Sequence, residues 1–476
     1  MGLSSICLFT IFIRLVFPFF FFNFTFANFT ASSILPLCHD DERYALLQFK
    51  ESRISGDFYA WKFDCRPTMA SWKPEEGSVD CYSWDVVHCN KNTGHLVHLK
   101  WLNLALNDFN SSEIPPEIIN LSRLSYLNLS GTSLSEILKL SNLVSLGLSL
   151  NDVPGGRLEL QKPSFENLFE KLSNLKTLNL GDVSIDSTIP HNIKNLSSLT
   201  FVSLRNCELQ GRIPSSLGNL SKLLHLDLSL NELQVSVGNL HSLKELDLSA
   251  NFLSSEWPIS IGNISSLKEL DLSQNKVLLP ISMGNLGSLK ELDLSQNGFF
   301  GELPTSIRNL FSLEKLDLSF NKLSGEFPWS TGNFSSLKLL NLRSCGFWSK
   351  VPHSIGNFTR LQFLFLGFNN FSGDLLGSIG NLRNLTQLVV LDMAQNSYGG
   401  TVELDVLLTS WKNLEALDIS LNRSSVLTKA TFDATTDTTS QKIQYRGLRS
   451  CNLTKFPNFL ENQNHLVILN LSDNRI

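Results

Sequence analysis

"LKELDLSANFL" at residues 243–253 returns as "LKELDLSQNKV" at residues 267–277 and as "LKELDLSQNGF" at residues 289–299. Leucines alternate with polar side chains in each copy, which is the period of a β-strand that buries one face. The asparagine near the end of each copy offers an amide that can bond backbone groups of the following turn. Each copy therefore predicts one short strand followed by a turn.

The same core pattern, LxxLxLxxN, occurs sixteen times along the chain. Self-similarity at intervals near 24 residues is the signature of a leucine-rich repeat. One repeat cannot bury its leucines alone, whereas stacked repeats share a continuous core beneath one long parallel sheet. We therefore expect an α/β repeat solenoid with a concave parallel β-sheet. The sixteen copies end at Asn107, Thr132, Asn151, Val183, Cys207, Asn231, Asn251, Asn275, Asn297, Asn321, Cys345, Asn369, Asn396, Asn422, Cys451 and Asn474.

A second signal follows most of these strands, as in "RIPSSLGNL" at residues 212–220 and "ELPTSIRNL" at residues 302–310. Proline lacks an N–H group, so this segment is expected where the outer backbone needs no ladder donor. The combined form LxGxIPxxIGNL resembles the plant-type leucine-rich repeat. The resemblance covers residues 95–476 and implies about sixteen plant-type repeats, the last of them incomplete, wound into a superhelix.

The N-terminus predicts a secretory signal peptide over residues 1–27. An apolar stretch covers residues 6–22 and is followed by Ala27, a small residue that suits signal peptidase. The alternative is a signal anchor, but the apolar run is short and Arg14 interrupts it. No later apolar run approaches 20 residues, so no membrane span is expected beyond this segment.

Passage through the secretory pathway would expose many N-x-S/T sequons to glycosylation. Sequons also arise by chance in repeats rich in asparagine and serine, so each single one is a weak signal. The candidate glycosylation sites are Asn110, Asn120, Asn195, Asn219, Asn263, Asn333, Asn357, Asn370, Asn384, Asn422 and Asn452.

Residues 38–94 do not follow the repeat and are expected to cap the exposed end of the core. "CHDDERYALLQFK" at residues 38–50 and "DCYSWDVVHCNKNTGH" at residues 80–95 resemble the cap of plant receptor-like proteins. That family comprises cell-surface immune receptors, and the resemblance implies a disulfide cap that pairs Cys38 with Cys81. Tyr82 stands where the family has another cysteine. Cys65 and Cys89 therefore either stay free or pair after a rearrangement.

Composition and motifs argue against several functions. The net charge is −5 and no basic run is present, which excludes nucleic acid as an expected partner. No nucleophile elbow, P-loop or dinucleotide fingerprint occurs, so we expect neither an enzyme nor a cofactor. His88, His95 and His98 lie near Cys89, but without a C-x-x-C partner we expect no metal site.

Two sets of side chains are candidates for ligand binding on the concave face. The first is acidic and consists of Glu245, Asp247, Glu269, Asp271, Glu291 and Asp293, which the repeat places in columns on neighbouring strands. Strands lie about 4.8 Å apart, so these charges repel one another. A solvated acidic face and a site for a basic ligand are both open interpretations.

The second set is aromatic and consists of Phe363, Phe365 and Phe368 in the twelfth repeat. Alternation directs the first two outward, and an exposed aromatic cluster marks a binding surface. The alternatives are that Phe368 turns inward or that a glycan at Asn370 covers the cluster. In the fifteenth repeat, Arg446 stands where the pattern has an inward leucine. We expect Arg446 to extend towards solvent, since a buried cation is costly.

The resemblance implies an extracellular ligand-recognition ectodomain that acts in pathogen perception or defence. Its ligand would be a pathogen- or plant-derived protein, peptide or glycan, and it would signal through co-receptor kinases. The expected location is the apoplast, or the plasma membrane if a longer product exists, since the chain stops in mid-repeat at Ile476. Two alternatives are a secreted binding protein, such as a decoy or an inhibitor of a microbial wall-degrading enzyme, and a non-functional truncated copy.

Overall fold

The fold is taken from a computed structural model of the 476-residue chain. The structure describes residues 140–149, 159–160, 162–234, 240–256, 262–278, 281–329, 334–403, 411–427, 443–457 and 465–476, with Leu124, Leu138 and the strands at 88–89, 96–98, 101–103 and 126–128 before them.

One parallel sheet of sixteen strands runs the length of the repeats, and each strand pairs with the next one along the chain. All sixteen predicted strands are present, so the prediction of a leucine-rich-repeat solenoid is confirmed. The strands are β1 Trp101–Asn103, β2 Tyr126–Asn128, β3 Ser145–Gly147, β4 Thr177–Asn179, β5 Phe201–Ser203, β6 His225–Asp227, β7 Glu245–Asp247, β8 Glu269–Asp271, β9 Glu291–Asp293, β10 Lys315–Asp317, β11 Leu339–Asn341, β12 Phe363–Phe365, β13 Val390–Asp392, β14 Ala416–Asp418, β15 Tyr445–Gly447 and β16 Ile468–Asn470.

The register of the sheet follows directly from the repeat. Leu246 in β7 lies opposite Leu226 in β6 and Leu270 in β8, and all three leucines are buried. The residues on either side of each leucine point to the other face, because successive strand side chains alternate. Stacking thus turns one residue position of the repeat into one column across the sheet.

Asparagine side chains hold the turns that follow the strands. Asn251 donates from its amide to the carbonyls of Leu228 at 3.0 Å and Leu248 at 3.1 Å, and its oxygen accepts from Leu233 N. Asn251 therefore ties its own repeat to the preceding one. Cys207 occupies the equivalent position, and its buried thiol donates to the carbonyl of Leu180.

The opposite side of the solenoid is built from short helices and paired outer strands. Among the described residues there are two α-helices, α1 Lys162–Lys171 and α2 Leu375–Leu382. They accompany 3₁₀ turns at His191–Asn195, Ser215–Asn219, Ile281–Asn285, Thr305–Asn309 and His353–Asn357. The outer strands form five parallel pairs: Gln210–Arg212 with Glu232–Gln234, Ser254–Glu256 with Lys276–Leu278, Phe300–Glu302 with Lys322–Ser324, Ser372–Asp374 with Ser397–Gly399, and Thr401–Glu403 with Ser425–Leu427.

The prediction that Arg446 extends towards solvent was wrong. Arg446 is 1% exposed and lies in register between Leu417 and Leu469 in the inward column. The pairing of β15 with both neighbours fixes this orientation, since turning Arg446 out would turn Tyr445 and Gly447 in. Burial lowers the pKa of the Arg446 guanidinium to about 10.

The N-terminal region is described only at its end. His88–Cys89 and Leu96–His98 pair as an antiparallel hairpin, within and just after the predicted cap. The predicted signal peptide and Cys38, Cys65 and Cys81 lie outside the described residues, so the disulfide cap stays a prediction. Within the described ranges, no helix has the length and apolarity that crossing a bilayer requires.

Candidate groove on the sheet face

Two columns of outward side chains cover the middle of the sheet. The first column is formed by the first residue of each strand and the second column by the third residue. From β5 to β12, the first column reads Phe201, His225, Glu245, Glu269, Glu291, Lys315, Leu339 and Phe363. The second column reads Ser203, Asp227, Asp247, Asp271, Asp293, Asp317, Asn341 and Phe365.

These columns line one groove with a volume of about 560 Å³. Phe201 lies at one end, and Phe363 and Phe365 lie at the other. Eight carboxylates line the groove between them, whereas the basic groups of the lining are His225 and Lys315. The structure therefore brings all six acidic candidates together with two of the three aromatic candidates.

The aspartates of the second column are held in a common orientation. The backbone nitrogen of a serine two residues on donates to Oδ1 of each aspartate at 2.8–3.0 Å, as Ser249 does to Asp247 at 2.9 Å. At the ends of the column, Ser203 Oγ donates to Asp227 at 3.0 Å and Asn341 Nδ2 donates to Asp317 at 2.8 Å. The aspartate side chains are fixed rather than free to move apart.

Burial and mutual repulsion disfavour the charged form of these aspartates. Burial, followed by the charge of Asp271, raises the pKa of Asp247 to about 6. Burial, followed by the charges of Asp317 and Asp271, raises the pKa of Asp293 to about 8. Burial also raises the pKa values of Asp271 and Asp317. The second column is thus a partly desolvated set of carboxyl groups rather than a freely solvated acidic face.

The glutamates of the first column differ in their partners. His225 Nδ1 lies 2.6 Å from Glu245, and Lys315 Nζ lies 2.7 Å from Glu291. Between them, no described cation lies within 4 Å of the Glu269 carboxylate. Burial, and then the charges of Glu245 and Glu291, raise the pKa of Glu269. Glu269 is therefore the acidic centre of the groove.

The lysines that precede the strands do not neutralise this centre. Glu314 interrupts their row and binds Lys338 at 2.6 Å and Lys290 at 2.9 Å. Hydrogen bonds from Lys338 and Lys290 lower the pKa of Glu314 to about 2. These two lysines are engaged beside the groove, and neither lines it.

The aromatic candidates separate into two environments. Phe363 and Phe365 point outward beside the buried Leu364, as alternation predicts, but they are half-buried in the groove. Phe368 is 38% exposed on the following turn and lies outside the groove lining. The guanidinium of Arg343 lies 4.2 Å from the Phe368 ring centroid. The three phenylalanines therefore do not form one patch.

Sequence reasoning did not identify three groove residues of the first column. Phe201 and Leu339 close the apolar ends of the first column, and His225 binds Glu245. Their signal was available in the columns, since each occupies the first position of its strand. Identifying them requires a comparison of the same strand position across neighbouring repeats rather than the inspection of a single repeat.

Most described sequons present an exposed asparagine. Asn422 is different, because its amide nitrogen donates to the carbonyls of Met393, Ile419 and Ser420 at 2.9–3.3 Å. A glycan on that nitrogen would disrupt the ladder, so we expect Asn422 to stay unmodified. The exposed candidates are Asn195, Asn219, Asn263, Asn357, Asn370, Asn384 and Asn452, whereas Asn110, Asn120 and Asn333 lie outside the described residues.

Comparison with known proteins places this architecture among repeat proteins. A family profile described as a leucine-rich repeat region matches residues 281–473, and a second, described as a leucine rich repeat, matches residues 198–220 and 242–264. Receptor-like protein 6 of Arabidopsis thaliana is 32% identical over 201 residues, which cover 34% of this chain and 20% of that protein. Receptor-like protein Cf-9 of Solanum pimpinellifolium is 31% identical over 202 residues, which cover 35% of this chain and 23% of that protein.

The match among solved structures extends over more of the chain. The crystal structure of a TDR receptor is 28% identical with a TM-score of 0.66, and the alignment covers 79% of this chain and 68% of that one. The sequence matches span only about a fifth of the length of the curated relatives.

Proposed function

Because this chain is a leucine-rich-repeat protein of the plant receptor-like type, we propose that it recognises an extracellular ligand in its groove and acts in pathogen perception. The observation that supports this role is the meeting of two aromatic ends and eight carboxylates in one groove of about 560 Å³. Ligand sites combine apolar surface with a few oriented polar groups, and this groove has both. Recognition, rather than transformation, of the ligand is the proposed activity.

The sheet favours binding because it is already ordered. Each strand of the groove pairs with both neighbours, and the serine and asparagine bonds fix the aspartate orientations. A preorganised surface loses little conformational entropy when it binds a ligand. The half-buried rings of Phe363 and Phe365 still offer apolar area to a partner. A protein or peptide is the proposed class of ligand.

A receptor of this type would transmit binding to kinases that associate with it at the cell surface. The matched sequences span about a fifth of the curated relatives, and we propose both this step and the secretory route for the whole receptor. The groove would then define the specificity, and associated kinases would supply the catalysis.

The test uses the chain secreted from plant cells and captured on a biosensor. Size-fractionated culture filtrates of plant pathogens are passed over the chain and over the double variant Phe363→Ala with Phe365→Ala. We expect a fraction that binds the chain and loses at least tenfold affinity for the double variant. Phe300→Ala is the matched control, because Phe300 is 73% exposed on an outer strand and should leave binding unchanged.

Both variants are first compared with the parent chain by thermal melting, so that loss of fold is separated from loss of binding. A ligand that binds the folded double variant as tightly as the parent chain would overturn the groove as the recognition site.

A further inference from the structure

We infer that the groove binds an extended peptide segment with basic side chains at its centre and apolar side chains at both ends, an assignment that rests on the proposed recognition function. Three properties of the lining lead to it: the charge balance, the order of side chains along the first column, and the bonding of the second column.

The charge balance of the groove selects a cationic occupant. Asp227, Glu245, Asp247, Glu269, Asp271, Glu291, Asp293 and Asp317 line it, against His225 and Lys315. Carboxylates on neighbouring strands repel one another, and a bound cation would relieve that repulsion. An anionic ligand would add to it, and an uncharged glycan would leave it in place. Complementary charge therefore favours a partner with lysine or arginine side chains.

The order of side chains sets where the cations lie. The first column begins at Phe201 and His225, continues through three glutamates and Lys315, and ends at Leu339 and Phe363. Beyond His225 and Lys315, apolar side chains thus lie on both sides of the acidic centre. Seven strand spacings separate β5 from β12, which is about 34 Å at about 4.8 Å per strand. An extended peptide rises about 3.3 Å per residue, so about ten residues span the groove.

The bonding of the aspartates points to the same central position. Asp227 and Asp317 accept hydrogen bonds from side chains of neighbouring strands, Ser203 and Asn341. The three aspartates between them, Asp247, Asp271 and Asp293, bond within the described residues only to their own serines two residues on. Their remaining acceptor capacity faces the groove beside Glu269. A lysine or arginine there would gain charge-assisted hydrogen bonds.

The probe is an eleven-residue synthetic peptide with phenylalanine at positions 1 and 11, lysine at positions 5 and 7, and glycine or serine elsewhere. These four positions share one face of an extended chain, and the arrangement is the same in either direction. Matched peptides replace both lysines with glutamate, or both phenylalanines with glycine. Each is titrated into the folded chain by calorimetry in 50 mM and 300 mM NaCl.

We expect the lysine peptide to bind with a Kd below 1 mM in 50 mM NaCl, and each matched peptide to bind at least tenfold more weakly. Higher salt should weaken the lysine peptide, because the contacts are partly exposed. Glu269→Gln should weaken it at least threefold, and Glu302→Gln, on the outer strand Phe300–Glu302, should not.

Equal binding of the lysine and glutamate peptides, or no binding below 1 mM, would overturn the basic ligand. An equal affinity of the lysine peptide for the Glu269→Gln and Glu302→Gln variants would also overturn the basic ligand. The recognition role itself is tested separately, by whether ligands from the filtrates require Phe363 and Phe365 for binding.

Discussion

Asp271 and Asp293 lie directly opposite each other on the paired parallel strands β8 and β9. Their carboxyl groups cannot separate, because Ser273 N and Ser295 N each hold one oxygen at 2.9 Å. Two like charges at adjacent strand positions destabilise a sheet unless a proton or a cation intervenes. The basic groups that line the described groove, His225 and Lys315, pair instead with Glu245 and Glu291 of the first column.

The first prediction is that the chain loses stability as the pH rises from about 4 to about 8. The pKa values of Asp247 and Asp293 are raised from 3.8 to about 6 and about 8, so the folded chain binds more protons than the unfolded chain in this window. Stability contributed by the protonated groups is present below pH 4 and is lost as the pH passes through the raised pKa values. The melting temperature should be at least about 2 °C higher at pH 5 than at pH 8.

The matched control for this prediction is Asp293→Asn, which removes one titrating group but keeps its shape. This variant should melt higher than the parent chain at pH 8 and show a shallower pH dependence. Glu314 has a lowered pKa of about 2 and acts in the opposite direction, but only below about pH 4.5. His225, Arg205 and Lys315 face the same column and stay unchanged in the comparison. A melting temperature that rises from pH 5 to pH 8 would contradict the prediction.

The second prediction concerns the asparagine ladder. Asn251→Ala removes the acceptor of the buried Leu233 N–H and one of the two amide donors to each of the carbonyls of Leu228 and Leu248. We expect a loss of about 2–4 kcal/mol in the free energy of unfolding, measured by urea denaturation. Asn251→Cys should lose less, since Cys207, Cys345 and Cys451 occupy this position in other repeats and their thiols bond carbonyls. Equal losses in the two variants would show that the amide bonds do not determine the effect.

The third prediction is that Asn422 stays unmodified while exposed sequons are glycosylated. The amide nitrogen of Asn422 donates to three backbone carbonyls, which a sugar linkage would disrupt. Asn219 and Asn263 are exposed in their turns and serve as internal controls. Peptide mass spectrometry of the plant-secreted chain measures occupancy at each site. The glycans are released enzymatically in water labelled with oxygen-18, which marks each asparagine that carried a glycan. Occupancy at Asn422 equal to that at Asn219 would contradict this assignment.

The strands were predictable because their signal is local. The alternation of leucines around Leu246 determines within a few residues which face of the strand points inward. Every stacked repeat has the same inward face. The orientation of Arg446 was predicted wrongly because only the cost of burying its own charge was considered. Its neighbours Leu417 and Leu469 set the register, and the register determines the face. The sheet therefore overrides the preference of a single residue.

The groove was only partly predictable, because it depends on relations between repeats. The two acidic columns and the outward direction of Phe363 followed from alternation. The raised pKa of Asp293 did not, since it depends on burial and on the charges of Asp317 and Asp271 on neighbouring strands. Phe368 follows the strand at a left-handed position with φ 57°, where alternation no longer gives a direction. The sequence therefore predicted the columns but not their degree of desolvation.

The last prediction concerns Arg343, which lies beside the groove and joins two repeats. Its guanidinium pairs with the buried carboxylate of Asp392 and packs on the ring of Phe368. Burial raises the pKa of Asp392 to about 6, although the charge of Arg343 acts to lower it. Arg343→Met keeps most of the packing but removes the charge that lowers the pKa of Asp392, so at pH 8 Asp392 either stays ionised without its partner or takes up a proton, and both cost free energy. We expect a loss of about 3 kcal/mol in the free energy of unfolding at pH 8 and a smaller loss at pH 5.

A double-mutant cycle with Asp392→Asn isolates the ion pair from the packing on Phe368. In the Asp392→Asn background, Arg343→Met should cost much less, because no buried charge remains. Arg343→Lys is the control that keeps the charge and loses the planar contact with the ring, so it should fall between the two. If Arg343→Met costs the same with and without Asp392, packing on Phe368 rather than the ion pair holds the two repeats together at this point.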